Sequence, residues 1–176
     1  MEFKPLENSL FALRPLSVSD RDVLFEVARD KEIWRQHPDS DRYQPAGFSR
    51  YFDKLLQTDM PYLIIDKARH AIIGATSYYE YSARERQVAI GFTFLATAYW
   101  GGEANRAVKS LMIDHAFRFV DRIVFHVREK NFRSQGALAK IGAVRTKEYP
   151  APACPGSLQL EYTIEKDRWP ASDGTK

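Results

Sequence analysis

The segment YWGGEANRAVKSL, residues 99–111, joins two glycines to the start of a helical pattern. At a helix N-terminus the first backbone N–H groups have no intrahelical partner, and the helix dipole adds partial positive charge. Gly101 and Gly102 leave room for a ligand to approach this backbone. Asn105 can cap the turn, and Arg106 can add a charge-assisted hydrogen bond. These residue types in this order predict a site for a phosphate-like anion.

A glycine pair before a helix is also a common tight turn, so the alternative is a loop without a ligand. The segment lacks both the GxxxxGK[ST] spacing of a P-loop and the GxGxxG dinucleotide fingerprint. Glu103 lies inside the loop, and at about 5 Å a like charge costs roughly 3 kcal/mol at an effective dielectric near 20. We expect the loop to bind a pyrophosphate with Glu103 turned to solvent; a weakened or lost site is the alternative.

Length and composition indicate one globular domain. The chain has 176 residues, 44% of them hydrophobic and 28% charged. We expect a domain over 1–170 and a flexible tail over 171–176. A net charge of +3, from 26 basic and 23 acidic residues, is too balanced to predict a nucleic-acid partner. No apolar run has the length of a signal peptide or a membrane span, so we expect no membrane partner.

Cysteine and histidine usage narrows the chemistry further. The single cysteine, Cys154, excludes an intrachain disulfide and fits a cytoplasmic protein. The four histidines and the acidic residues show no ligand spacing, so we expect no metal. His126 alternates with apolar residues in a predicted strand, and we expect it to be packed or hydrogen-bonded within the sheet.

Apolar periodicity predicts the elements that position the loop. The first half reads as a strand over 9–16, a helix over 17–34, a polar connection over 35–47 and a second helix over 48–58. Strands follow over 61–66, 71–82 and 86–100, then a helix over 105–120 and a strand over 122–127. A helix over 131–142, ended by Gly142, precedes a last strand over 157–165.

The order of these elements predicts an α/β protein. The strand–helix–strand unit at 86–127 requires a parallel pair with a crossover helix, whereas the hairpins require antiparallel pairs. We therefore expect a mixed, mostly antiparallel sheet of six to seven strands with helices on both faces.

Several segments in order resemble the GNAT superfamily of acetyl-CoA-dependent N-acyltransferases, particularly its RimJ/RimL-like branch. The segments are LRPLSVSDRDVLFEVARDKEIWRQHP, IIGATSYYEY, AIGFTFLATAYWGGEANRAVKSLMIDHAF, VREKNFRSQGALAKIGAVR and YTIEKDRWP. Taken in the same order, these five segments are similar to five features of that branch: the opening strand and helix, the hairpin strand, the pyrophosphate loop with its flanking strand and helix, the NxxS segment, and the closing strand. The resemblance covers nearly the whole chain and implies the GNAT fold.

The resemblance implies an N-acetyltransferase that moves an acetyl group from acetyl-CoA to a primary amine by direct attack in a ternary complex. It implies no metal and no covalent enzyme intermediate. Ser134 matches a serine proposed to protonate the leaving thiolate. The positions that match cofactor-binding residues are Phe94, Leu95, Gly101, Gly102, Ala104, Asn105, Arg106 and Asn131. Trp34 follows the first helix, where that branch builds a wall of the acceptor site. Tyr79 lies on the predicted hairpin strand, where alternation can direct it toward the same cleft; ordinary packing is the alternative for both.

Three positions depart from the family pattern. Glu103 replaces a glycine, Ala89 replaces an acidic residue that can act as a base, and Leu138 replaces a proton-donating tyrosine. The general base therefore stays unassigned. The acceptor is a protein N-terminal α-amine or a small amine such as a polyamine, an aminoglycoside or an amino acid. A non-catalytic GNAT-like binding protein is the alternative from another class. We expect the protein to be a monomer or a homodimer.

Overall fold

A computed structural model describes residues 1–2, 4–152 and 154–170, so the tail at 171–176 lies outside the described residues. The described residues form one sheet in the order β1-β2-β3-β4-β5-β6-β8-β7. The strands are β1 (Leu6–Glu7), β2 (Phe11–Pro15), β3 (Met60–Asp66), β4 (Ala71–Ser82), β5 (Gln87–Leu95), β6 (Arg122–Arg128), β7 (Val144–Pro150) and β8 (Leu158–Glu165). The α-helices are α1 (Arg21–Ala28), α2 (Lys31–Trp34), α3 (Pro45–Leu56), α4 (Ala104–Ala116) and α5 (Phe132–Lys140). Short 3₁₀ segments cover Val18–Asp20, Ser40–Tyr43, Thr97–Tyr99 and Lys166–Arg168.

The mixed sheet is confirmed, but it has eight strands rather than the predicted six to seven. β5 and β6 form the parallel pair, and the other neighbouring strands are antiparallel. The prediction missed β1, which has two residues, and β7, which has the sequence VRTKEYP. β7 is an edge strand whose side chains are nearly all exposed, so it lacks the apolar alternation that marks a strand in a sequence.

The helix predicted over 17–34 is divided into a 3₁₀ turn, α1 and α2. The break lies at Asp30, which has an extended backbone and whose carboxylate accepts a hydrogen bond from the Glu32 N–H at 3.0 Å. This side chain caps a new helix instead of continuing the old one. α3 begins at Pro45, earlier than predicted, because proline is well suited to the first turn of a helix.

Helices cover both faces of the sheet, as predicted. On one face α4 buries Val108, Met112 and Ile113, and the Tyr78 hydroxyl of β4 donates to the Met112 carbonyl at 2.6 Å. On the other face α1, α2 and α3 form a second core. Its members include Leu24, Ile33, Trp34, Phe48, Tyr51, Phe52 and Leu55, packed against Leu63, Ala75 and Phe94 of the sheet.

A β-bulge in β5 opens the sheet. Ala75 of β4 pairs with Phe94 and Ser77 pairs with Gly91, so β5 has one more residue than β4 over this stretch. Phe92 lies in the bulge with a φ of 53°, and its carbonyl accepts a hydrogen bond from the Tyr51 hydroxyl at 2.6 Å. β5 pairs with β6 only through Gln87, Val88 and Ala89. Beyond Ala89 the two parallel strands separate and leave a V-shaped gap.

Close packing beside this gap gives a test of the fold. A Cβ added at Gly74 would lie 2.0 Å from the Phe94 backbone carbonyl oxygen, which cannot easily move. We expect Gly74→Ala to lower the free energy of unfolding by about 1–3 kcal/mol. In the control Gly136→Ala, within α5, the added Cβ has no described atom within 4 Å, and we expect a gain of up to about 1 kcal/mol. Urea denaturation measures both; equal stabilities of the two variants would contradict the β4–β5 packing.

Candidate functional site

A cavity of about 550 Å³ occupies the gap between β5 and β6. Its walls come from Ile90–Leu95 of β5, Phe125–Val127 of β6, the loop before α4 and the first turns of α5. The volume is in the range of sites that enclose a drug-sized ligand or part of a cofactor. The bulge therefore creates the space in which a ligand can lie between two strands.

The cavity is strongly basic. Its basic lining residues are Arg42, Arg106, Lys109, Arg133 and Lys140. None of the described residues that line it is an aspartate or a glutamate, although Arg42 is ion-paired with Asp39 at 2.6 Å outside the lining. Basic groups in a wall without carboxylates create a positive potential that attracts an anionic ligand. The electrostatics of the cavity thus agree with the anion site predicted from the loop sequence.

Glu103 is exposed and is not among the residues that line the cavity. It is the N-cap of α4, with a φ of −83° that any residue can adopt, so this backbone does not require the glycine of the family pattern. Gly101, with a φ of 74°, is the residue of the loop that needs glycine. An exposed Glu103 outside the lining is the arrangement expected for a loop that still binds a pyrophosphate; whether Glu103 weakens that binding stays a prediction.

The cavity brings together most of the predicted cofactor residues. Phe94, Leu95, Gly101, Gly102, Asn105, Arg106 and Asn131 line it, together with Ser134. Ala104 is buried at the start of α4 and is not among the lining residues. Ala89 is also buried and lies in the paired part of β5, before the gap begins. An acidic residue at that position would be outside the cavity lining.

The N-terminus of α5 presents Ser134 to the cavity. Asn131 is the N-cap of this helix, and its side-chain oxygen accepts a hydrogen bond from the Ser134 backbone N–H at 3.2 Å. The cap fixes the backbone of the first turn and thereby holds Ser134 at the cavity wall. The direct contact between Asn131 and a cofactor stays a prediction.

Arg133, which the sequence analysis missed, connects three parts of the site. Its guanidinium lies 4.0 Å from the centre of the Trp100 ring, and its Nη2 donates to the Ile33 carbonyl at 2.7 Å. The Trp100 indole in turn donates to the Leu95 carbonyl at 3.0 Å. These contacts hold α5, α2 and the glycine loop around one mouth of the cavity.

Trp34 lines the cavity from the second core, where its indole N–H donates to the Ala28 carbonyl at 2.7 Å. The Arg42 guanidinium lies over the rings of Trp34 and Tyr51, at 5.4 and 4.8 Å from their centres. Burial and the nearby Arg42 charge lower the pKa of His37 to about 4, so this lining imidazole is neutral near pH 7. These aromatic and cationic groups form a wall opposite α5.

Tyr79 and His126 form a hydrogen-bonded pair on the same side of the sheet as this wall. The Tyr79 hydroxyl lies 2.7 Å from His126 Nδ1, and His126 Nε2 lies 3.9 Å from a Glu161 carboxylate oxygen. Burial raises the pKa of Tyr79, so its hydroxyl stays protonated near neutral pH. His126 is hydrogen-bonded as expected, and it also lines the cavity; Tyr79 lies behind it, beside Gly91, and is not among the lining residues.

Lys109 is the second functional candidate that the sequence analysis missed. It lies on α4 with 5% of its surface exposed, and its Nζ donates to Thr93 Oγ1 at 2.6 Å. Burial lowers the pKa of Lys109 to about 7. Helical spacing could have indicated its burial, since it comes three and four residues before the core residues Met112 and Ile113.

No group of three or more histidine, cysteine, aspartate or glutamate side chains in 1–2, 4–152 and 154–170 is arranged to hold a metal ion. No helix in the same ranges has both the length and the apolar character needed to cross a membrane.

A family comparison agrees with the fold and the cavity. The model of the Acetyltransferase (GNAT) domain matches residues 11–144, which is most of the chain. The chain belongs to the GNAT acetyltransferase family. This GNAT protein is therefore an acyltransferase. No curated protein is similar enough to the chain to count as a match.

Solved structures show the same fold at low sequence identity. A GCN5-related N-acetyltransferase from Brucella melitensis is 19% identical with a TM-score of 0.81, covering 97% of this chain and 82% of its own. RimJ of Mycobacterium smegmatis in complex with CoA-disulfide is 18% identical with a TM-score of 0.72, covering 95% and 88%. A ribosomal-protein-S5-alanine acetyltransferase from Vibrio fischeri is 21% identical with a TM-score of 0.68, covering 94% and 98%. These likenesses establish the GNAT architecture of the chain.

Proposed function

We propose that this GNAT enzyme transfers an acetyl group from acetyl-CoA to a primary amine, by direct attack within a ternary complex. The observation that carries the proposal is a basic cavity without lining carboxylates, bordered by a glycine loop at a helix N-terminus. These features suit a ligand with several phosphates attached to a long apolar arm. The similar RimJ structure was determined with CoA-disulfide, which supports the choice of coenzyme A.

The residues of this chain fit such a cofactor. Gly101, Gly102 and the first N–H groups of α4 would hold the pyrophosphate, with Arg106 as the nearby cation. Phe94 and Leu95 would border the pantetheine arm, because β6 does not pair with β5 at that level. When bound, the cofactor supplies an activated acyl thioester. The bulge directs the backbone around Phe92 and Thr93 toward the gap, where an N–H group can stabilise the oxyanion.

The acceptor must be a neutral amine when it attacks. An α-amine, with a pKa of about 8, needs less help near neutral pH than a lysine-like amine, with a pKa of about 10.4. We assign His126 as the group that accepts the proton of the amine, directly or through one water, because it lines the gap and Tyr79 orients its ring. Ser134, on α5, donates a proton to the departing sulfur.

We propose a protein N-terminal α-amine as the acceptor. The similar structures named RimJ and ribosomal-protein-S5-alanine acetyltransferase support this choice. Trp34 and Tyr79 are the proposed acceptor-side residues, Trp34 in the wall and Tyr79 through its hydrogen bond to His126. A small amine such as a polyamine, an aminoglycoside or an amino acid is the competing acceptor. A cytoplasmic location, a monomeric or homodimeric state, and the 1–170 domain boundary stay predictions.

An acceptor panel tests this function. We expect acetyl-CoA-dependent thiol release with peptides that have an unblocked N-terminus, and none with the same peptides after N-terminal formylation. Polyamines, aminoglycosides and amino acids in the same panel report the competing class. Coenzyme A at about 100 times its Kd should also stabilise the protein by roughly 2.7 kcal/mol, seen as a raised Tm. An unchanged Tm at saturating coenzyme A, together with no turnover of any amine, would refute the proposed function.

Ser134→Ala separates proton donation from cofactor binding. We expect kcat to fall by about 10- to 1000-fold, because the leaving thiolate loses its nearest hydroxyl donor. The Kd for coenzyme A should change little, since the Asn131 cap bonds the Ser134 backbone N–H, which alanine keeps. Steady-state kinetics and calorimetric titration measure the two effects. Full turnover by this variant would assign Ser134 only a structural or cofactor-contact role.

Glu103→Gln tests whether the loop glutamate opposes the cofactor. Because Glu103 is exposed and outside the cavity lining, we expect less than about a threefold change in the Kd for coenzyme A, or roughly 0.7 kcal/mol. Arg106→Gln, which removes a lining charge from the same helix turn, is the matched comparison and should weaken binding more. Both titrations are repeated at low and high salt. A tenfold gain by Glu103→Gln at low salt that shrinks as salt rises would instead show an inward-facing carboxylate.

A further inference from the structure

Lys109 is a buried lysine to which the mechanism above gives no task. An ammonium has three N–H donors, and the hydrogen bond to Thr93 Oγ1 uses one of them. Thr93 Oγ1 also lies 2.7 Å from Thr76 Oγ1, so the lysine ends a short hydroxyl chain inside the sheet. Lys109 nevertheless lines the cavity.

The position of Lys109 Nζ along the cavity is defined by both separating strands. Its partner Thr93 belongs to the bulge of β5, and the centre of the Phe125 ring of β6 is 5.8 Å away. Phe125 comes directly after Val124, which forms the last pair with β5. The ammonium thus lies between the two arms of the V, close to where they part.

This position is the deep end of the proposed cofactor site. Along α4, Lys109 is five residues beyond Ala104, or about 7 Å from the glycine loop at 1.5 Å per residue. Along β5, Thr93 is two residues from Leu95, or about 7 Å at 3.3 Å per residue, so Thr93 and Lys109 lie at a similar depth from the loop. An acyl arm that runs from the loop between the strands would pass Thr93 and Phe125, where Lys109 Nζ lies.

The charges around Lys109 favour an anion at this point. The other titratable and cationic lining groups on the elements around it are Arg106 on α4, His126 on β6, and Arg133 and Lys140 on α5. No aspartate or glutamate is among the described lining residues, so no carboxylate of the cavity wall neutralises the lysine. In the protein alone, burial favours the neutral amine of Lys109. A thiolate beside it would favour the ammonium, because an opposite charge stabilises the charged form.

We propose that Lys109 binds the sulfur of the cofactor and stabilises it as the leaving thiolate. This inference rests on the proposed function and adds a residue to it. The acceptor nitrogen forms a bond to the acetyl carbon, the C–S bond breaks, and its electron pair stays on sulfur. The Lys109 ammonium donates a charge-assisted hydrogen bond to that sulfur. The proton of the amine goes to His126, which later releases it to solvent. Ser134 relays a proton from a solvent water to the sulfur, gaining one at its oxygen as it gives one up, so the hydroxyl is restored.

The stabilisation is selective for the reacting state. A thioester sulfur carries little negative charge, whereas the departing sulfur carries nearly a full charge, so the interaction strengthens as the C–S bond breaks. Lys109 and Ser134 thereby act on the leaving group from α4 and α5, and His126 acts on the acceptor from β6.

The test is the ionisation of the thiol of bound coenzyme A, followed by thiolate ultraviolet absorbance while pH is varied. With the wild-type enzyme we expect half-ionisation at least about one pH unit below that of unbound coenzyme A, equivalent to a tenfold change in the acid constant. Lys109→Met keeps a long unbranched side chain without the charge and should return the thiol to its ordinary ionisation. Lys140→Met removes another lining lysine; it should leave the thiol ionisation shifted, whatever it does to affinity.

Each outcome decides the proposal. An unshifted thiol in the wild-type complex, or the same shift in Lys109→Met, overturns the role of Lys109 while the proposed function stands. A wild-type protein that binds no coenzyme A overturns the proposed function, and this inference with it. If Lys109→Met does not fold, the thiol ionisation is compared between the wild-type complex and Lys109→Gln instead, with the same expected difference. In a folded variant we also expect kcat to fall while the KM of the acceptor amine stays within about twofold.

Discussion

The extra residue in β5 is the constraint on which the rest of the molecule depends. A left-handed backbone at a bulky residue such as Phe92 costs roughly 1–3 kcal/mol, so the surrounding structure must hold it in place. The Tyr51 hydroxyl bonds the Phe92 carbonyl, and the Tyr79 ring packs edge-on against the Phe92 ring. The strain is thus balanced by groups from α3 and β4. As a result of the bulge, β5 separates from β6 after three residue pairs, and a gap opens in a sheet that would otherwise be continuous.

The two faces of that gap have different chemistry. On the face covered by α4, the glycine loop, Lys109 and the first turn of α5 present donors and positive charge. On the opposite face lie Trp34, Arg42 and His126, which is hydrogen-bonded to Tyr79 behind it. A ligand in the gap would therefore meet backbone N–H and basic groups on one side, and aromatic, guanidinium and imidazole groups on the other. The proposed division between leaving group and nucleophile follows from this arrangement of the two cores.

The sequence was informative where periodicity or a family motif is strong. The β3–β4 hairpin, the parallel β5–β6 pair and α4 were predicted because their apolar residues repeat at strand or helix spacing. β7 was missed because an exposed edge strand needs no apolar face, and the break between α1 and α2 depends on a cap at Asp30. Lys109 was missed because a charged residue is normally assigned to the solvated face of a helix. Only the three-dimensional course of β5 and β6 shows that a cavity lies beside it.

The narrow junction between β5 and β6 also has a mechanical consequence. It divides the sheet into a five-stranded panel, β1 to β5, and a three-stranded panel, β6, β8 and β7. Three residue pairs, the crossover helix α4, the ion pair between Arg86 and Asp121 and the hydrogen bond between Tyr79 and His126 join the panels across this seam. Because backbone pairing stops after three residue pairs, an extended ligand lying between the strands would add contacts with both panels along the open part of the seam. Binding of a ligand in the gap would then also make the whole sheet more rigid.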